Sequence, residues 1–272
     1  MTLNNLVKYT LLLLLSCSTD YTVTTKTTET VIVDPPPTEV VVDSLIQPSL
    51  PESIDVLMVL DTSCSMNDNY EQVSRGVEIL RGDIEDITYD YKMGFINTSL
   101  EDPYFAGPYD LWSTSIDFLL APYALGQDSI EAGFSAMYNF VTGTDEGIEF
   151  FREDTDKLII FISDENEQSA ITADVFHQWL NETFSGVQHD TVAIVTVVDG
   201  ECGSSYSVGE KYIDLAAYYG KVGIDICSDW EEWLVESTYL VGPIDYINLS
   251  ETPIEESIIV YIDSVVTEEW YY

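Results

Sequence analysis

Positive charge is what this sequence has least of. Nine lysines and arginines stand against 49 aspartates and glutamates, a formal net charge of −40 over 272 residues. A surface of that sign repels phosphates, which excludes nucleic acid as a partner. It suits solubility in salt water, where screening removes much of the self-repulsion, and it favours cations. Histidine is nearly absent as well, with only His177 and His189. No motif places either beside Cys64, so a Cys–His nucleophilic pair is not expected. His177 reads as a helix-surface residue and His189 as an exposed loop residue. The chain has no Gly-x-x-x-x-Gly-Lys phosphate loop, no His-Glu-x-x-His and no Cys-x-x-Cys, so nucleotide binding and a zinc cage have no sequence basis. The apolar run at residues 11–15 is too short to span a bilayer as a helix.

What is present divides the chain into four parts. Residues 1–17 read as a signal peptide: Lys8, the apolar run, then Leu14-Leu15-Ser16-Cys17. That last tetrad resembles a bacterial lipobox, which implies lipidation of Cys17 after cleavage. Residues 18–52 read as a Thr- and Pro-rich tether, with Pro35-Pro36-Pro37 as its stiffest piece, because such a segment buries little apolar surface. The valine-rich pieces at 31–33 and 40–42 are read as part of this tether rather than as strands. Residues 53–242 form one α/β domain, and 243–272 a C-terminal β extension. Hydrophobic residues make up 46% of the chain, enough for a core of that size. Among the cysteines, Cys202 and Cys227 flank one strand-and-helix unit and can pair in an oxidising compartment, leaving Cys64 as the free thiol.

Within the domain, apolar strands alternate with amphipathic helices. Strands are predicted at 54–60, 92–97, 157–163, 191–198 and 223–227, with a further one near 111–115 inside the aromatic stretch 104–118. Helices are predicted at 70–87, 129–141, 172–184, 211–219 and 230–239. Val73, Val77, Leu80, Ile84 and Ile87 give the first helix its apolar face. Trp230, Trp233 and Tyr239 stand at helical spacing and read as core. A last strand is expected at 257–266. Near-continuous apolar strands of this kind belong to a mostly parallel, doubly wound sheet covered by helices on both faces.

Two of these strands end in acid. Val56 to Leu60 runs into Asp61-Thr62-Ser63-Cys64-Ser65, and Leu158 to Ile162 runs into Ser163-Asp164-Glu165. In open α/β sheets, ligands collect beyond the carboxyl ends of strands. Two carboxylates with hydroxyls two and four residues after the first supply the few, mostly neutral oxygens that a hard divalent cation takes. Mg2+ or Mn2+ is favoured over Ca2+. Capping of the following helix is the plainer role for Asp61 and its neighbours, but capping does not call for a second acid at another strand end. Glu165 and Glu167 read as solvated loop residues, with hydrogen bonding to metal-bound water as the other role for both.

Asp-x-Ser-x-Ser directly after an apolar strand and before an amphipathic helix resembles the metal-ion-dependent adhesion site (MIDAS) of von Willebrand factor type A domains. Asp164 falls about a hundred residues on, where that family places its next acidic ligand. The likeness extends over residues 53–272, with Phe150 to Asp154 and Tyr212 to Trp230 resembling a bacterial and phage branch in which a cysteine pair brackets the last unit. It implies a Rossmann-like α/β fold, Asp61, Ser63, Ser65 and Asp164 as metal ligands, and a Cys202–Cys227 disulfide. Where the family uses a threonine in an intervening loop, the spacing from Gly126 and Gly133 implies Asp128, with Ser129 beside it. The implied function is non-enzymatic, with no catalytic residue. A lipid-anchored envelope or secreted protein would bind a partner's acidic group through the cation, touching a membrane only through its anchor. Two other readings stand beside it: a Mg2+-dependent hydrolase using Asp61 and Asp164, and a structural envelope protein with a degenerate site. An aspartyl-phosphate hydrolase commonly has a second aspartate where this chain has Ser63.

Overall fold

The computed structural model describes residues 51–238 other than 101, 128, 204 and 233, with the side chain of 236 also outside the description, and, as backbone only, strands within 7–46 and 260–267. The chain forms two compact units: 51–240 is one, and 1–50 with 241–272 is the other.

The terminal unit contains β1 (Val7–Leu15) and β2 (Asp20–Glu29), paired antiparallel. Short strands β3 (Val40–Val41) and β4 (Leu45–Ile46) pair with β2. These strands lie where the sequence predicts a leader and an extended tether. Threonine and valine are β-branched and fit a pleated backbone as well as an extended one. In the C-terminal part the single strand predicted at 257–266 is a short antiparallel pair, β11 (Val260–Ile262) and β12 (Val265–Thr267).

The second unit is built on a six-stranded sheet. Its strands are β5 (Ile54–Leu60), β6 (Tyr91–Asn97), β7 (Phe105–Tyr109), β8 (Asp156–Ser163), β9 (His189–Val195) and β10 (Ile224–Asp225), in the order β10-β9-β8-β5-β6-β7. All neighbours are parallel except β7, which runs antiparallel to β6. The helices are α1 (Tyr70–Ile87), α2 (Ser115–Ala124), α3 (Gly133–Gly143), α4 (Asp145–Phe150), α5 (Ala173–Thr183) and α6 (Glu210–Tyr218). One apolar layer packs α1 and α2 against Val56, Met58, Leu60 and Ile160; the other packs α3, α5 and α6 against Leu57, Val59, Ile159 and Phe161. Alternate residues of the same strands therefore feed two cores, which is why β5 and β8 are buried along their apolar length.

Several elements depart from the sequence reading for identifiable reasons. The aromatic stretch holds its strand earlier, at β7, and then forms α2, where the N3 residue Asp117 accepts the amide of Thr114 at 2.8 Å. Phe105 stacks on Phe140 and Tyr109 packs on Phe118, whereas Tyr104 and Trp112 are exposed. Helix α3 starts at Gly133 rather than 129. Helix α4 was not predicted; Thr144 caps it by accepting the Gly147 amide at 2.9 Å. The helix predicted at 230–239 is two 3-10 turns, Trp230–Glu232 and Val235–Ser237. They press Trp230 against α1 so closely that a Cβ at Gly76 would lie 2.5 Å from its ring. Trp230 is core as expected; Trp233 and Tyr239 lie outside the described residues. His177 is half-buried and stacks on Tyr218, and His189 opens β9 instead of lying in a loop.

At the N-terminal edge of the sheet Asp55 is buried within a closed network. Arg152 donates to it through its amide and Nε, both at 2.7 Å, and Thr155 Oγ1 donates at 2.7 Å. Lys157 Nζ approaches at 3.4 Å and also donates to the carbonyls of Arg152 and Thr155.

Candidate metal centre

The chain leaves β5 toward β6 and returns on its other side at β8, so the sheet's topological switch point lies between these two strands. Leu60 pairs with Ile162, and the amide of Asp61 extends the ladder by one bond to the Ile162 carbonyl at 2.9 Å. Asp61 and Asp164 thus emerge side by side at the C-terminal edge. Both are fully buried. Asp61 Oδ1 accepts the Ser63 amide at 2.8 Å and Oδ2 accepts the Ser163 hydroxyl at 2.7 Å. The Ser63 and Ser65 hydroxyls lie 2.8 Å apart, and Ser65 Oγ donates to Asp164 Oδ1 at 3.1 Å. Asp164 Oδ2 is buried with no hydrogen-bond partner. The two aspartates and two serines singled out in the sequence are thereby brought to one place, and Cys64 is exposed between the serines. His189 opens β9 at the sheet edge opposite the one that carries Cys64.

The segment after Asp164 is held from both sides. The amides of Tyr206 and Ser207 donate to the Asp164 carbonyl at 3.1 and 3.2 Å, and Thr196 Oγ1 donates to it at 2.8 Å. Ser207 Oγ accepts the Asn166 amide at 3.0 Å. The loop 196–209 that supplies these groups is tied beyond the end of β10 by the Cys202–Cys227 disulfide. On the other side Glu167 is buried, not solvated as expected. It accepts the Phe134 amide at 3.0 Å and the Ser169 amide at 2.6 Å, fixing the start of α3. Gly133 is required there, since a Cβ would lie 2.6 Å from the Tyr212 hydroxyl.

The third loop differs most from the sequence reading. Asp128 lies outside the described residues, and Ser129 is exposed. The carboxylate that this loop turns inward is Glu131, 3% exposed, whose side chain receives Gln168 Nε2 and whose carbonyl accepts the Gln168 amide at 2.7 Å. The signal for it was a single acid between Ile130 and Ala132, two residues before the glycine that opens α3.

Crowding of negative charge raises the affinity of these groups for protons. Burial, then the charge of Asp61, push Asp164 up to about 7. Burial and the charges of Asp61, Glu165 and Asp164 push Glu131 to about 7. Burial raises Asp61 as well, against the hydrogen bonds it accepts, and burial with the Asp61 charge raises Glu165. Two adjoining buried carboxylates, one with an oxygen that has no hydrogen-bond partner, beside two hydroxyls fit a hard divalent cation. Among the described residues no group of three or more His, Cys, Asp or Glu side chains is placed to hold a metal ion, so the serine hydroxyls are needed to complete a donor set. The donor set is half hydroxyl, which suits an ion that keeps coordination positions for other oxygens.

The sequence matches no family model and no curated protein. Solved structures do match. Proximal thread matrix protein 1 from the mussel byssus, with a zinc-occupied MIDAS motif, is 16% identical and superposes over 69% of this chain and 46% of that chain with a TM-score of 0.50. The fold is that of a von Willebrand factor type A domain. A von Willebrand factor type A structure from Catenulispora acidiphila is 14% identical over 86% of this chain and 49% of its own, at a TM-score of 0.45. The chain spans about half the length of these solved structures. In the A-type fold described here, the switch-point edge carries the Asp-x-Ser-x-Ser loop.

Proposed function

We propose that the edge between β5 and β8 holds a divalent cation, Mg2+ or Mn2+, and that the domain is a non-enzymatic module that binds a partner protein through it. Asp61, Ser63, Ser65 and Asp164 would hold the ion, with Glu131 and Glu165 within electrostatic reach. The cation supplies an electrophilic attachment point for a partner's oxygen. The observation that carries this reading is the buried, unpartnered Asp164 Oδ2 beside a second buried carboxylate and two hydroxyls. Asp61 is oriented by two hydrogen bonds, Asp164 by three on its carbonyl, so the donors are arranged before any ion arrives. Among the described residues no lysine or arginine bonds these carboxylates, which disfavours a phosphoester hydrolase at this edge.

The disulfide fits an oxidising, extracellular compartment. The Leu-Leu-Ser-Cys leader extends the proposal to a lipid anchor on Cys17, which intact-mass measurement on membrane-extracted protein tests directly. For the site itself the experiment is calorimetric titration of Mg2+ and Mn2+ into the wild type and Asp61→Ala in moderate salt. A saturable single site lost in the variant is the expected result. Identical, weak, salt-suppressed binding in both would end the metal reading.

A further inference from the structure

The face around the metal loops is anionic without relief. Glu131 lies beneath it, Glu165 is half exposed at its edge, and Asp68 is exposed in the loop that carries Ser63 and Ser65. The charges acting on Glu131 and Asp164 are all negative. The basic residues of the domain are committed elsewhere: Arg75 and Arg81 pair with glutamates, Arg152 and Lys157 with Asp55, and Lys221 with Asp190. Lys92 donates to the carbonyls of Glu149 and Phe150. Lys211 bonds Asn166 through its amide, and its ammonium donates to the Ser169 carbonyl at 2.7 Å. Formally, Asp61, Asp164, Glu131 and Glu165 outweigh a single divalent ion, so a bare carboxylate approaching it meets a residual negative field.

We propose that the partner of this face is a protein surface rich in lysine and arginine, with the metal-binding oxygen carried among those cations. This rests on the metal reading above. The flanking cations offset Asp68, Glu165 and Glu131 while one acidic or amide oxygen reaches the ion. Steering by opposite charge also speeds encounter, and it weakens with salt.

The test uses the full chain with Mg2+ and four short labelled peptides, read by fluorescence anisotropy. Three carry one central glutamate flanked by lysines, by serines or by aspartates; the fourth is the lysine peptide with glutamine at its centre. The lysine-flanked glutamate peptide is expected to bind about tenfold tighter than the serine-flanked one, and the aspartate-flanked one not at all. High salt, and the double variant Asp68→Asn/Glu165→Gln, should shrink that preference, and EDTA should abolish the binding. The glutamine-centred peptide should bind more weakly than its glutamate counterpart and still above the aspartate-flanked one. Equal binding of the lysine- and serine-flanked peptides, or no binding by either, overturns the proposal while Mg2+ titration remains intact. Lysine-peptide binding that ignores EDTA and Asp61→Ala, with no saturable Mg2+ site, sinks the metal reading instead and reduces the effect to attraction toward an acidic surface.

Discussion

Strand β5 carries a buried aspartate near each end, and the two meet opposite treatment. Asp55 is enclosed by Arg152, Lys157 and Thr155, so its charge and lone pairs are answered by the protein itself. Asp61, one residue past the other end, adjoins Asp164 and receives only neutral donors. Same residue type, same strand and same burial give a closed structural joint at one edge and an open, charge-deficient site at the other. The difference lies in where the chain places its few cations.

The comparison breaks most sharply at the closed end. Asp55→Ala leaves Lys157 buried without its carboxylate, and urea unfolding should show a loss of about 3–5 kcal/mol. Cys202→Ser/Cys227→Ser opens the tie on the loop that grips the Asp164 carbonyl; unfolding under oxidising conditions should register a loss of about 3 kcal/mol. At the open end the sign reverses. Asp164→Asn removes repulsion from a buried carboxylate, so in EDTA the variant should be more stable than the wild type, by on the order of 1 kcal/mol after screening, and should lose the stabilisation that Mg2+ gives the wild type. A less stable variant in EDTA would mean that the crowding is not destabilising.

A further effect concerns protons. Glu131 has an ordinary value of 4.5 and is raised to about 7 in the folded chain. The folded state therefore holds a proton that the unfolded state has released across that interval. Its contribution to stability is present in full below about 4.5 and is lost as pH rises through about 7. Thermal melts of the metal-free chain should decline over this window, and Glu131→Gln should flatten the decline. A slope unchanged by the variant would assign the effect to other groups.

Much of this was legible in the sequence because strong signals coincided. The apolar runs ending at Leu60 and Ile162 each lead within two residues to an aspartate, and the 70–87 periodicity matched α1 at both ends. What was missed lay where tertiary context overrode local pattern. Glu131 looks like any loop acid until the adjoining strand ends show what it faces. Glu167 reads as solvated because nothing local announces the two amides that it satisfies, Phe134 at the start of α3 and Ser169 in its own loop. The stretch after Trp230 has helical spacing, yet its described residues form two short 3-10 turns, with the indole packed closely against Gly76. Helix α2 was missed: Thr114 and Asp117 carry its capping pair, but the aromatic, Gly- and Pro-punctuated stretch before it reads as loop and strand.

The placement of acids on β5 has a consequence for folding. Between Asp55 and Asp61 lie five apolar residues, Val56 to Leu60, each matched to partners on β6 and β8. A slip of one residue in either direction would exchange the two cores' side chains and draw a carboxylate into the apolar ladder, away from its donors. The two aspartates therefore act as stops at either end of the central strand. They penalise wrong pairings that hydrophobicity alone would tolerate, and so help this uniformly greasy strand find a single register.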